Sequence, residues 1–263
     1  RSVLRHSNGE KYMTLQEFFE QNKKVALAFS GGTDSSFLLY VAKLYNCDVA
    51  PYFVKTQFQP QFELDDAKAV ADFVGVEMKT IDKDILTDEN ISNNPKNRCY
   101  YCKKSIFDTI LDEARKDGYT TIIDGTNASD SETDRPGMKA LSEMKALSPL
   151  KLCGITKSDV RRLSKEVGLF TYKKKSYSCL ATRIATDTKI TKEALEKIEK
   201  SEEIIEKMGF ENFRVRDCEK YAKIQIEESQ FELAIQNREK ITAELKQFYS
   251  DIYLDLTPRK SGE

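Results

Sequence analysis

Val25-Ala26-Leu27-Ala28-Phe29, running into Ser30-Gly31-Gly32-Thr33-Asp34-Ser35-Ser36, decides the fold. Five consecutive apolar residues without alternation read as a strand covered on both faces. The glycines then turn the chain into a helix with apolar positions at Phe37, Leu38, Leu39, Val41 and Leu44. Glycine lets backbone N–H groups approach an anion, the helix N-terminus adds a favourable dipole, and Ser30, Thr33 and Ser35 supply hydroxyl donors. Unlike the loop of kinase-type NTPases, the string has no lysine before its Ser/Thr, so nothing argues for γ-phosphoryl transfer. The plain alternative is a tight strand-to-helix turn capped by Asp34.

Working outward, the spacing predicts strands over 49–54 and 76–81 with a helix over 63–74 between them. This βαβαβ rhythm implies an α/β fold with a doubly wound parallel sheet. Upstream, Thr14-Leu15-Gln16-Glu17 has capping-box spacing. Downstream come a helix over 100–116 closed by Gly118, a strand over 120–123 ending at Asp124-Gly125-Thr126-Asn127, and a helix over 158–167. After a basic stretch, 171–188, the pattern changes to a long charged helix over 192–208, short strands over 213–216 and 222–226, one helix over 231–245 and a strand over 252–256. The expected organisation is a sheet domain over 1–187 and a small α+β domain over 188–263, for substrate binding and oligomerisation.

Composition narrows the chemistry. The 263 residues carry 42 basic and 43 acidic side chains, a net charge of −1, which argues against a nucleic-acid binder. No run approaches the ~18 apolar residues of a membrane span, and the start of the chain has no secretory pattern, so a cytoplasmic protein is expected. The single histidine, His6, leaves acid–base and nucleophilic work to Cys, carboxylates, Lys, Arg or a cofactor.

The glycine string resembles the PP-loop of N-type ATP pyrophosphatases, whose fold is adenine-nucleotide alpha-hydrolase-like and which cleave ATP to AMP and pyrophosphate while adenylating a substrate oxygen. Further motifs are Asp124-Gly125-Thr126-Asn127, Asp134-Arg135-Pro136-Gly137, Leu141-Ser142-Glu143, Ser148-Pro149-Leu150 and Thr156-Lys157-Ser158-Asp159-Val160-Arg161. Together they resemble the LarE-type ATP-dependent sulfur transferases of nickel-pincer nucleotide cofactor biosynthesis. The resemblance implies ATP with Mg²⁺ at Ser30, Gly31, Gly32, Asp34, Ser35, Asp124 and Asn127. Read from its own position, Asp124 is either a nucleotide or metal contact at the C-terminal end of a strand or an Asx-turn before Gly125. Arg135 suits a phosphate or carboxylate, or a surface salt bridge. Glu143 enters the site only through the resemblance.

Six cysteines fall into two groups. Cys47, Cys153 and Cys218 read as small hydrophobes. Cys99 and Cys102 share one helix face beside Arg98, Lys103 and Lys104, and Cys179 lies among Lys173, Lys174, Lys175 and Arg183. Three thiols without a usable histidine make a poor tetrahedral zinc site. The resemblance implies a [4Fe-4S] cluster on Cys99, Cys102 and Cys179 carrying sulfide on its open iron. Cys179 as a sacrificial sulfur donor, or a redox disulfide, is the alternative.

Arg214 and Arg216 alternate with Phe213 and Val215, so both guanidiniums face one side of a strand, with Arg259 near the chain end. By residue type this is a solvated strand face; by resemblance it holds the substrate's phosphate at a homo-oligomer interface. The expected reaction adenylates a carboxylate of pyridinium-3,5-dicarboxylate mononucleotide, with Lys103 or Arg135 stabilising developing charge, and transfers sulfur from an external sulfide source. The rivals are a tRNA-thiolating PP-loop enzyme and a nucleotide-binding redox sensor without turnover.

Overall fold

The computed structural model describes residues 13–130, 146–175 and 177–260. The chain divides into two compact units. One comprises Arg1–Thr56, Gln61–Lys83 and Asn97–Lys174, the other Gln57–Pro60, Asp84–Lys96 and Lys175–Glu263.

In the first unit, α1 (Leu15–Gln21) starts at Thr14, whose capping box with Glu17 is formed as its spacing requires. Strands β1 (Lys24–Ala28), β2 (Asp48–Lys55), β3 (Lys79–Asp82) and β4 (Ile122–Ile123) make one all-parallel sheet in the order β3-β2-β1-β4. Alternation divides them between two faces. Val25, Leu27, Val49 and Phe53 pack with buried residues of α2 (Thr33–Leu44) and α3 (Gln61–Val74). Ala26, Tyr52, Val54 and Ile122 pack on Ile110 and Ala114 of α4 (Arg98–Lys116). Helices thus cover both faces of the sheet, which is the doubly wound arrangement. Gly118, at φ +79, turns the chain off the end of α4. A single turn, Pro149–Leu152, and α5 (Lys157–Glu166) follow.

The second unit holds α6 (Lys192–Lys207) and strands β5 (Arg214–Cys218), β6 (Tyr221–Gln225) and β7 (Asp251–Leu254), in the order β5-β6-β7. The first pair is antiparallel and the second parallel. The single helix expected over 231–245 is two, α7 (Phe231–Gln236) and α8 (Arg238–Leu245). They meet at Asn237, whose φ −96 and ψ 7 leave the helical region and whose side-chain amide donates to Leu233 O at 2.9 Å. Among the described residues, no helix is long and apolar enough to cross a membrane.

Candidate active site

The PP-loop follows β1 and enters α2 at Gly32, which is the N-cap and provides no side-chain cap. The first-turn N–H groups of α2 are therefore not taken up by a capping side chain. Gly31 is the demanding position. Its φ is +67, and a Cβ there would stand 2.8 Å from Ala67 Cβ of α3. A Cβ on Gly32 would meet Ser30 Oγ at 3.2 Å, and Ser30 Oγ lies 3.1 Å from Ser35 Oγ. A bulky residue at Gly32 would thus displace the hydroxyl pair of the loop.

Asp34 is largely buried. Its Oδ2 meets Lys157 Nζ at 2.5 Å, while Oδ1 is buried with no hydrogen-bond partner. Burial raises its pKa, opposed by the hydrogen bond and charge of Lys157. At the end of β4, Asp124 Oδ1 accepts from Thr126 N at 2.8 Å, so the Asx-turn is formed. The other oxygen, Oδ2, is buried without a partner. Gly125 is wedged against the loop, since a Cβ on it would lie 2.9 Å from Ser35 N. Asn127 is buried and its Oδ1 accepts from Ser129 N at 2.8 Å. Two hard, unpartnered carboxylate oxygens beside a phosphate-type loop fit Mg²⁺, which takes one or two protein carboxylates and completes its shell from phosphates and water.

Sequence reading missed the cations around this loop. Arg161 holds Tyr172 O at 2.6 Å and Lys174 O at 2.8 Å. Lys174 pairs with Asp66 at 2.7 Å and reaches Gly31 O at 3.4 Å. Thr33 Oγ1 donates to Thr171 O at 2.9 Å, tying the loop to the same segment. One signal was available: Lys157 opens a helix, where the dipole disfavours a cation.

Cys99 and Cys102 lie in the first turns of α4, Cys99 exposed and Cys102 half-buried; Lys103 beside them is half-buried. Arg98 Nη2 reaches Cys99 Sγ at 3.8 Å. By contrast, burial pushes the Cys47 thiol up to about 11 and that of Cys153 up to about 12, keeping both neutral. None of the six cysteines is in a disulfide. Arg135 and Glu143 lie outside the described residues.

In the second unit, Cys179 is half-buried and precedes a 3₁₀ turn, Leu180–Arg183. Arg183 is wholly buried and binds Glu202 through both Nε and Nη2, each at 2.9 Å. Its Nη1 donates to Ser178 O at 2.5 Å and Cys179 O at 3.1 Å, fixing the backbone that carries Cys179. Glu202 also accepts from Tyr177 Oη at 2.6 Å and Val215 N at 2.9 Å. Burial works against the Arg183 charge, but Glu202 outweighs it and the pKa is raised.

Among the described residues, Arg214 and Arg216 have no such carboxylate. Arg214 lies 5.4 Å from the Tyr177 ring centroid and donates to Phe213 O at 2.6 Å; Arg216 binds Gln225 Oε1 at 2.7 Å and the carbonyl of Thr182. Burial, then the charges of Arg183 and Arg259, holds Arg214 down to about 10 and lowers Arg216 likewise. Arg259 Nε donates to Asn212 O at 3.1 Å. Arg183 and Arg259 thus crowd Arg214 and Arg216 with like charge, an arrangement chemically suited to receiving an anion.

The described residues contain no group of three or more His, Cys, Asp or Glu side chains that could hold a metal ion. Cys99 and Cys102 belong to the first unit and Cys179 to the second.

No family model matches the chain. It is 32% identical over 260 residues to an uncharacterised protein of Synechocystis sp., covering 96% of both chains. It is 34% identical over 234 residues to an uncharacterised protein of Methanocaldococcus jannaschii, covering 89% of each. It is 29% identical over 255 residues to the pyridinium-3,5-bisthiocarboxylic acid mononucleotide synthase of Lactiplantibacillus plantarum, covering 96% of this chain and 92% of that one. Similarity to the tRNA-specific 2-thiouridylase MnmA of Coxiella burnetii is 28% over 198 residues, 62% of this chain and 53% of that one. With a PP-loop on a parallel sheet and relatives aligned along nearly their whole length, the chain belongs to the LarE-type sulfur transferases of the PP-loop ATP pyrophosphatase superfamily.

Proposed function

We propose that the protein binds Mg-ATP at the PP-loop, adenylates a carboxylate of pyridinium-3,5-dicarboxylate mononucleotide and replaces one carboxylate oxygen by sulfur. The observation that carries this reading is the uncapped start of α2, with Gly31 and Gly125 allowing no side chain and Asp34 and Asp124 each offering a free oxygen. The N–H groups of α2 bind phosphate oxygens, and Asp34 and Asp124 would hold the Mg²⁺, which would supply positive charge for the departing pyrophosphate. Adenylation is required because a carboxylate repels an anionic sulfur nucleophile. In the acyl-adenylate, AMP leaves with the C–O bond as the C–S bond forms, giving a thiocarboxylate, AMP and pyrophosphate. Arg214, Arg216 and Arg259 hold the mononucleotide phosphate, within a C-terminal part that also serves homo-oligomerisation. Lys103 or Arg135 stabilises the developing charge, and Glu143 is an acidic residue near the substrate-activating centre.

For the sulfur source, the accessible, disulfide-free thiols of Cys99, Cys102 and Cys179 support carriage on a [4Fe-4S] cluster fed by external sulfide; no step above is routed through it. Iron and acid-labile sulfide in anaerobically reconstituted protein would support the cluster. A Cys179 lighter by hydrogen sulfide after turnover would replace it with the sacrificial reaction. Use of ATP fits a cytoplasmic enzyme.

The test of the whole reading is pyrophosphate release and a sulfur-for-oxygen mass gain in the mononucleotide on adding ATP and a sulfide source. A second reading, tRNA thiolation, is favoured by the MnmA relatives. Pyrophosphate release that depends on tRNA rather than on the mononucleotide would establish it. Absence of any turnover would favour a redox sensor.

A further inference from the structure

The carboxylate of Glu202 is saturated. Its Oε1 accepts from Arg183 Nε and Val215 N, each at 2.9 Å, and its Oε2 from Arg183 Nη2 at 2.9 Å and Tyr177 Oη at 2.6 Å. Two oxygens with two lone pairs each offer four acceptor sites, and all four are taken. Burial and the charge of Glu202 hold the Tyr177 phenol above its usual range, so the hydroxyl remains a donor.

Arg214 is the neighbour that this arrangement leaves out. It is 5% exposed and within reach of the Glu202 charge, yet among the described residues its guanidinium donates to Phe213 O alone, at 2.6 Å. A cation so buried draws any carboxylate with an acceptor site to spare. The Tyr177 ring lies against both guanidiniums, its centroid 4.5 Å from Arg183 Cζ and 5.4 Å from Arg214 Cζ. A ring face attracts a cation without occupying its N–H donors. Packing alone would be served by phenylalanine. The hydroxyl adds one thing, the donor that fills the last acceptor site of Glu202.

We propose that Tyr177 is a positioning residue that withholds Glu202 from Arg214, so that the Arg214 guanidinium stays stacked on the ring with its donors open to the mononucleotide phosphate. The proposal rests on the reading that Arg214 holds that phosphate. No covalent step is involved. What Tyr177 controls is which anion Arg214 meets, the internal carboxylate or the substrate.

Tyr177→Phe keeps the ring and opens one acceptor site on Glu202. Calorimetric titration of the full chain with pyridinium-3,5-dicarboxylate mononucleotide, and with the nucleoside that lacks its phosphate, tests the consequence. The proteins are wild type, Tyr177→Phe, Arg214→Ala and the double variant. Tyr177→Phe should weaken mononucleotide binding by roughly tenfold, approaching the loss in Arg214→Ala, and leave nucleoside binding unchanged. In the Arg214→Ala background the same substitution should cost no further affinity. Wild-type affinity in Tyr177→Phe, or a loss that persists undiminished without Arg214, overturns the proposal. An equal loss for the nucleoside, or a Tyr177→Phe chain that does not fold, would make the hydroxyl a general brace and overturn it as well. If Arg214→Ala binds the mononucleotide as tightly as wild type, the phosphate reading itself is removed, whatever Tyr177→Phe does.

Discussion

The proposed function assigns the two units different means of holding an anion. In the first, the proposed receptor is the N–H groups of a helix start, and the side chains that matter are those that are missing, at Gly31, Gly32 and Gly125. In the second, the proposed receptor is Arg214, Arg216 and Arg259, the first two on a strand braced by the buried Arg183–Glu202 pair. A backbone receptor is written in contiguous residues. A side-chain receptor is assembled from residues far apart in the chain, and it depends on a partner that has no chemistry of its own to offer.

Substitutions can break or sharpen this contrast. The largest effect is expected at the backbone receptor: Asp34→Ala or Gly32→Val should abolish pyrophosphate release in folded protein. Unchanged release in either would remove the assignment. Next, Glu202→Ala strands a fully buried guanidinium and should cost ~3–5 kcal/mol in urea unfolding. A loss under ~1 kcal/mol would mean that the arginine receptor does not depend on that brace. Third, Arg214→Ala and Arg216→Ala should each weaken binding of the phosphorylated substrate by roughly 1.5–3 kcal/mol, with ATP binding unchanged. Parallel loss of both ligands would instead indicate a damaged fold.

Thiol replacements separate the steps within the reaction. Cys99→Ala, Cys102→Ala and Cys179→Ala should stop sulfur transfer while sparing pyrophosphate release, whereas Cys47→Ser, Cys153→Ser and Cys218→Ser should retain transfer. Loss of adenylation in the first three would tie those thiols to the nucleotide rather than to sulfur.

The smallest effect concerns acid. Burial holds the Asp34 carboxyl above its ordinary 3.8 against the pull of Lys157. Just above pH 3.8 the folded chain therefore binds more protons here than the unfolded one, and the contribution of this group to stability falls as pH rises through that window. Asp34→Asn should thus be at least as stable as wild type at neutral pH, with the difference disappearing below pH 3.8. A neutral-pH loss would show that Lys157 more than offsets burial.

Much of the first unit was legible because its signals are local. An unbroken apolar run, a glycine turn and a capping box each specify backbone over a few residues, and Thr14 and Gly118 act where their spacing puts them. The brace in the second unit was illegible for the opposite reason, since Arg183 and Glu202 meet across 19 positions. One hint was present: Glu202 sits on the stripe Leu195, Ile198, Ile205, where a carboxylate needs a buried partner. The break at Asn237 was overlooked because apolar periodicity continues on both sides of it.

The unfinished helix start at Gly32 also gives the protein a means of reporting on its own occupancy. A chain that withholds its cap is completed by whatever anion seats there, and a guest that binds only the folded form raises the melting temperature with its concentration. Ranking phosphates, sulfates and carboxylates by the warming each confers would read out the preferences of the loop without a substrate, a label or a turnover assay.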